Sequence, residues 1–167
     1  MKTISFLGLG AMGSQMAARL LDAGYSMRLY NRSSQALLPF QKAGVACFDD
    51  VKAAVSDADW VLAMLRDDHA SQSLWSDDRT LQALKPGAVL VEMSTLSVEW
   101  TKKLSVLCKA KDVDFMAAPV LGSLPQAESG QLLLLLGGPG PIRRAFDPIL
   151  KVLGKTVMEW DQEALAS

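Results

Sequence analysis

Short apolar runs alternate along the chain with longer segments in which apolar residues recur every three or four positions. The first run, residues 3–7, has the compact apolar character of a buried strand. After this run, apolar residues recur at helical spacing up to about residue 23: Met12, Met16 and Leu20. Gly24 follows as a helix C-cap. The N-terminal pattern therefore predicts a strand that leads directly into a helix.

The same alternation continues through the rest of the chain. It predicts strands over residues 26–30, 44–47, 60–65, 88–93, 114–116, 131–136 and 156–159. It predicts helices over residues 34–41, 50–55, 67–74, 98–110 and 141–153, several of which follow a Ser or Asp that can cap the first turn. Strands that alternate with helices indicate one α/β domain with a mostly parallel sheet covered on both faces.

Composition removes several classes of function. The 167 residues include 17 Lys and Arg against 18 Asp and Glu, a net charge of -1, so the chain lacks the basic excess of a nucleic-acid binder. Two distant cysteines, Cys47 and Cys108, and one histidine, His69, predict no metal site and a reducing, cytoplasmic compartment. A membrane span needs about 20 apolar residues, and the late run over 132–136 has five. We therefore expect no membrane partner.

Three glycines lie between the first strand and the first helix. Gly8, Gly10 and Gly13 match G-x-G-x-x-G, in which the glycines permit a tight turn, a close pyrophosphate and close helix packing, in that order. The pyrophosphate then lies against the N–H groups at the positive end of the helix. The apolar stretch after Lys2 also has the outline of a short signal peptide, but the spaced glycines favour a buried strand.

This context predicts a Rossmann-type, doubly wound α/β domain over residues 1–160 that binds a dinucleotide. The motif residues predicted to bind the cofactor are Gly8, Leu9, Gly10, Ala11, Met12 and Gly13.

The end of the second strand indicates which dinucleotide is bound. NAD-binding domains usually place Asp or Glu there to hold the ribose 2′-hydroxyl, whereas this chain has Asn31, Arg32 and Ser33. No carboxylate repels a 2′-phosphate, Arg32 can pair with it, and the two neighbours can donate hydrogen bonds. The loop therefore predicts NADP, with NAD as the alternative. Residues 66–69, Arg-Asp-Asp-His, predict a polar helix start beside this site.

Residues 8–20, GLGAMGSQMAARL, resemble the opening signature of the β-hydroxyacid dehydrogenases. That family includes 3-hydroxyisobutyrate dehydrogenase and tartronate semialdehyde reductase and, more distantly, 6-phosphogluconate dehydrogenase and imine reductases. Further resemblances follow in the family's order over residues 31–33, 61–65, 93–95, 118–123 and 127–132. The resemblance therefore covers nearly the whole chain.

The resemblance implies an oxidoreductase that interconverts a small hydroxy acid or alcohol and its aldehyde or ketone by hydride transfer. It implies that Met64 and Leu65 lie beside the cofactor and that Thr95 contacts its nicotinamide half. The residues that it implies for the substrate are Ser94, Leu121, Gly122 and Ser123.

One departure from the family concerns the substrate. The family usually has Ser-Gly-Gly where this chain has Leu121-Gly122-Ser123, and in the family that segment holds the substrate carboxylate. Leu121 replaces a hydrogen-bonding side chain by an apolar one, which suits a bulkier or less polar carbonyl or imine substrate. An imine-reductase-like enzyme is therefore an alternative.

A second departure concerns catalysis. The family's catalytic lysine, a general acid or base, lies on a long helix after this domain, and Lys151 and Lys155 precede the expected position. Residues 161–167, with Asp161 as N-cap, predict the start of such a helix, which would lead to a helical C-terminal domain. In the family that domain mediates dimer formation, so a homodimer is expected mainly through it. We assign no catalytic residue within the chain, and a non-catalytic NADP-binding module is a further alternative.

Overall fold

The structure, a computed structural model, describes residues 2–161. The strands are β1 Thr3–Leu7, β2 Ser26–Tyr30, β3 Ala46–Phe48, β4 Trp60–Ala63, β5 Val89–Glu92, β6 Asp114–Ala117, β7 Val120–Leu121, β8 Leu132–Gly137 and β9 Gly154–Trp160. The α-helices are α1 Ala11–Asp22, α2 Leu38–Lys42, α3 Val51–Val55, α4 Asp68–Trp75, α5 Asp78–Gln82, α6 Val98–Ala110, α7 Leu124–Ser129 and α8 Gly140–Leu153. A 3₁₀ turn, Ser34–Leu37, precedes α2.

The strands form one sheet in the order β3-β2-β1-β4-β5-β6-β8-β7, and β9 also pairs with β8. The first six strands of this order run parallel, whereas β8 is antiparallel to β6 and β7 and parallel to β9. The chain builds outward from β1 in one direction, then returns to β4 and builds in the other. Ligands of open α/β sheets bind at such a switch point, beyond the carboxyl ends of the strands.

The sheet is covered on both faces by separate apolar clusters. Ile4 and Phe6 of β1 pack with α1 and α8, whereas Leu7 of the same strand packs with the layer that contains α3, α4, α5 and α6. Trp75 of α4 and Phe146 of α8 are fully buried in the two clusters. This two-sided burial explains why the central strands are continuous apolar runs instead of alternating ones. The predicted single, doubly wound Rossmann-type domain is confirmed.

The sequence patterns found most elements and missed three. The predicted bounds of β1, β2 and α6 agree with the structure, whereas α5, α7 and the two-residue strand β7 were not predicted. The predicted helix over 34–41 is a 3₁₀ turn followed by α2, in which Pro39 lies in the first turn, where a missing N–H costs least. The helix predicted over 161–167 lies outside the described residues, apart from Asp161.

None of the described helices is both long enough and apolar enough to cross a membrane.

Candidate functional site

A cleft of about 790 Å³ lies at the carboxyl ends of β1, β2, β4 and β5. The register of the sheet places these ends side by side, because Leu7 pairs with both Tyr30 and Ala63, and Ala63 pairs with Glu92. The predicted cofactor residues that line the cleft are Gly8, Gly10, Ala11, Met12, Gly13, Asn31, Arg32, Ser33, Met64, Leu65 and Thr95. The structure therefore brings together four sequence segments, each separated from the next by at least 17 residues.

Leu9 is the predicted cofactor residue that does not line the cleft. Its side chain is buried in the core, and its N–H donates a hydrogen bond to Asn31 Oδ1 over 2.8 Å. Gly8 N–H also donates to the carbonyl of Tyr30 (3.0 Å), and the two bonds connect the glycine turn to the end of β2. Asn31 Nδ2 in turn donates to the carbonyl of Ser33 (3.0 Å). Asn31 therefore shapes the loop that presents Arg32, whose side chain is exposed at the cleft.

The three positions of the turn are occupied by glycine for different physical reasons. Gly8 has φ +99°, and a Cβ there would lie 2.2 Å from the carbonyl oxygen of Met64. A Cβ on Gly13 would lie 2.0 Å from the carbonyl oxygen of Gly8. A Cβ on Gly10 would meet nothing within 4 Å. The first and third glycines are therefore required by the packing of the turn itself, whereas the second leaves open space at the cleft.

The N-terminus of α1 adjoins this open space. Gly10 is its N-cap and offers no side chain to cap the first turn, and the first turn contains no acidic residue. The first intrahelical bond runs from Ser14 N–H to the carbonyl of Gly10 (2.9 Å). The N–H groups of the first turn thus lie at the positive end of the helix dipole, where an anion is favoured. The turn has the shape and polarity that a pyrophosphate needs.

The other wall of the cleft is formed by residues that the sequence did not assign to the cofactor. They are Tyr30, Arg66, Asp67, His69, Ala70, Ser73 and Leu74. Asp67 is the N-cap of α4: its Oδ1 accepts a hydrogen bond from Ala70 N–H (2.9 Å), which lowers the pKa of the Asp67 carboxyl. The predicted polar helix start is therefore confirmed. The signal that marks its cleft face is the helical spacing of His69, Ala70, Ser73 and Leu74.

The cleft lining includes none of the four implied substrate residues, all of which the structure describes. Ser94 is 3% exposed, and its hydroxyl accepts from Leu65 N–H (2.7 Å), so it supports the cleft from behind. Leu121 is 48% exposed at the end of β7, and Gly122 has φ +144°. Ser123 N–H donates to Gln126 Oε1 (2.7 Å) at the start of α7. Contact of these four residues with a substrate stays a prediction.

Glu92, at the carboxyl end of β5, is the buried acidic group that sequence reasoning missed. It is 2% exposed, and its Oε1 accepts hydrogen bonds from the N–H (3.1 Å) and the hydroxyl (2.5 Å) of Ser94. Its Oε2 accepts from the Ser71 hydroxyl (3.2 Å). Burial raises the pKa of Glu92 to about 7, although these donors oppose the rise. Its position at the end of an apolar run, beside Ser94, was the available sequence signal.

The described residues contain neither a candidate metal site nor a disulfide. Among residues 2–161, no three His, Cys, Asp or Glu side chains are grouped so that they could hold a metal ion. Cys47 is partly buried, Cys108 is fully buried, and both are free.

Residues 3–160 match the family described as the NAD-binding domain of 6-phosphogluconate dehydrogenase. The uncharacterised oxidoreductase YfjR of Bacillus subtilis is 33% identical over 162 residues, which are 96% of this chain and 57% of that protein.

Solved structures agree in fold. The 3-hydroxyisobutyrate dehydrogenase of Mycobacterium tuberculosis, solved with L-serine, has a TM-score of 0.90 at 30% identity and matches 99% of this chain and 57% of its own. An imine reductase from Myxococcus stipitatus, solved with NADP⁺, has a TM-score of 0.86 at 22% identity and matches 98% of this chain and 57% of its own. A variant of that reductase was solved with NAD⁺. The chain spans a little over half the length of each of these relatives.

Proposed function

The chain belongs to the family of the NAD-binding domain of 6-phosphogluconate dehydrogenase, and we propose from this that it is the NADP-binding part of an oxidoreductase. The reaction would interconvert a small hydroxy acid or alcohol and its aldehyde or ketone by hydride transfer. The observation that carries the proposal is the cleft in which the glycine turn, the Arg32 loop and Thr95 line one continuous space. The bound cofactor would supply or accept the hydride.

The residues present fit a dinucleotide. The first turn of α1 would hold the pyrophosphate through its N–H groups, and the open space at Gly10 would let the backbone approach it. Met64 and Leu65 would pack against the cofactor from the end of β4, and Thr95 would contact its nicotinamide half. The buried Ser94 would keep the chain around Leu65 and Thr95 in place.

The Arg32 loop supports NADP over NAD. Arg32 and Ser33 are exposed at the cleft, directly after β2, where NAD-binding domains place an acidic side chain. A guanidinium pairs well with a phosphate through two parallel hydrogen bonds. Asn31 contributes by fixing the loop, since its side chain already bonds Leu9 and Ser33. The 2′-phosphate would therefore rest mainly on Arg32 and Ser33.

We expect NADPH to raise the thermal midpoint of the protein more than NADH does, and Arg32→Gln to remove most of that difference. A charge-assisted hydrogen bond contributes about 1.5–3 kcal/mol, so the variant should weaken NADPH binding by about 10- to 100-fold in calorimetry. Its NADH affinity should change much less. Lys42→Gln, which removes the same charge from an exposed position on α2, is the matched control. Equal affinities of the natural chain for the two cofactors would overturn the NADP proposal.

For the substrate, we favour a small hydroxy acid or its semialdehyde, as the chain's 30% identity to 3-hydroxyisobutyrate dehydrogenase suggests. The exposed, apolar Leu121 supports an imine as the second candidate. Proton transfer to the substrate would come from a lysine on a following helix, as the family resemblance implies. The domain, joined to the C-terminal half that its relatives have, should reduce semialdehydes faster than cyclic imines with NADPH. Faster turnover of cyclic imines would establish the second candidate in place of the first.

The proposed setting is the cytoplasm. Two free cysteines, Cys47 and Cys108, suit a reducing compartment. A homodimer formed mainly through the C-terminal half stays a prediction.

A further inference from the structure

The carboxylate of Glu92 connects three separate elements behind the cofactor cleft. Oε1 accepts from the N–H and the hydroxyl of Ser94, which follows β5, and Oε2 accepts from the hydroxyl of Ser71 on α4. Ser71 Oγ also accepts from the indole N–H of Trp100 on α6 (2.8 Å). Ser94 Oγ accepts from Leu65 N–H at the end of β4. Glu92 therefore holds two supports of the cleft: Ser94, which bonds Leu65 on one wall, and Ser71 of α4, the helix that lines the other wall.

The direction of these hydrogen bonds depends on the charge of Glu92. Ser94 Oγ and Ser71 Oγ each accept from another group, so each can give its own proton to a carboxylate. A protonated Glu92 carries a donor of its own, which must compete with those two hydroxyl protons. One of the serine hydroxyls then has to turn away from Glu92. The buried indole N–H of Trp75, which makes no hydrogen bond of normal geometry in the described residues, also favours the anion.

We propose that ionised Glu92 is a positioning residue of the cofactor cleft, and that its protonation weakens dinucleotide binding. Glu92 holds Ser94, and Ser94 accepts from Leu65 N–H. These bonds fix the position of Thr95 relative to the end of β4. Glu92 also holds Ser71, and with it the helix whose outer face lines the opposite wall. The proposal rests on the proposed cofactor site, because it concerns the walls of that site.

Glu92 changes its protonation state in a pH range that a binding experiment can reach. Burial raises the pKa of Glu92 to about 7, and no cation of residues 2–161 forms an ion pair with it. The ionisable group that faces it is the thiol of Cys108 on α6, whose pKa burial raises to about 12, so this thiol stays neutral throughout. On the loop and helix that carry Ser71, the ionisable groups are Arg66, Asp67, Asp68 and His69, all at the outer end of α4. His69 lines the cleft directly, so it is replaced in the measurement.

The test is the dissociation constant of NADPH as a function of pH, measured by calorimetry in a His69→Gln background. Between pH 8.5 and 5.5 we expect Kd to rise about tenfold, the size of one net hydrogen bond, with a midpoint near 7. Glu92→Gln in the same background should give a flat profile with weaker binding throughout. Glu99→Gln, which removes an exposed carboxylate from α6, should leave the profile unchanged.

Ser71→Ala separates positioning from a general structural effect. It deletes one donor to Glu92, which should raise the pKa of the carboxyl and move the midpoint of the NADPH profile to higher pH. A merely structural role would lower affinity at all pH values without moving the midpoint. A profile of Glu92→Gln that matches the Glu92 chain would overturn the inference. Absence of NADPH binding at every pH would instead overturn the proposed function, so the two failures are distinguishable.

Discussion

Replacing Gly13 by alanine is expected to lower the free energy of unfolding by about 3 kcal/mol, the upper part of the range for overpacked sites. A Cβ there would lie 2.0 Å from the carbonyl oxygen of Gly8 and 3.1 Å from its carbonyl carbon. Neither atom can move away at low cost, because Gly8 is itself tightly packed. A Cβ built on Gly8 would lie 2.2 Å from the carbonyl oxygen of Met64. Helix propensity alone predicts the opposite sign, since alanine in a helix is favoured over glycine by about 1 kcal/mol. Urea unfolding measures which effect is larger.

Gly10→Ala is the matched control for this prediction. Gly10 has φ -68° and ψ -167°, which alanine adopts readily, and a Cβ would meet nothing within 4 Å. We expect its unfolding free energy to stay within about 0.5 kcal/mol of the natural chain. NADPH binding should nevertheless be lost, because the Cβ would occupy the space that the pyrophosphate needs. A Gly13→Ala protein as stable as the natural chain would show that α1 does not pack on the turn as described.

The second large effect is on the pH dependence of stability. The pKa of Glu92 is about 7 in the folded chain, against the ordinary 4.5 when unfolded. Between these values the folded chain binds more protons than the unfolded one, so stability falls as the pH rises. This difference between the folded and unfolded pKa of Glu92 corresponds to about 3 kcal/mol. Relative to Glu92→Gln, the natural chain should lose this amount between about pH 4.5 and 7 and then level off.

Urea unfolding of both proteins from pH 4 to 8 measures this difference. Asp59, Asp67 and Asp77 have pKa values lowered by hydrogen bonds from Lys85, Ala70 and Arg79, respectively. Their contributions have the opposite sign, because they are lost as the pH falls through the lowered pKa values. Both proteins share these groups, so the difference isolates Glu92. A difference that is constant with pH would show that Glu92 titrates like an exposed carboxyl.

Some features of the site depend on residues that are adjacent in sequence, and others depend on distant contacts. The glycine turn was predictable because its chemistry needs only a strand, three glycines and a helix that are adjacent in sequence. The position of Arg32 and Ser33 at the cleft was predictable for the same reason, since both follow β2 directly. Asn31 also lines the cleft, and its hydrogen bond to the phosphate stays a prediction. By contrast, its bond to Leu9, 22 residues away, supports the loop in a way that the sequence did not reveal.

The amino-acid sequence alone predicts the alternation of strands and helices, the glycine turn and the family, because each depends on residues close together in the chain. The tertiary structure decided what depends on distant contacts. It pairs the two-residue β7 with β8, turns one face of α4 toward the cleft and buries Glu92 between Ser71 and Ser94. In the sequence, the position of Glu92 at the end of an apolar run beside Ser94 marks it for attention but does not show that it is buried. Only the packing of α4 and α6 over β5 removes it from water and adds the Ser71 hydroxyl to the two donors that the neighbouring Ser94 supplies.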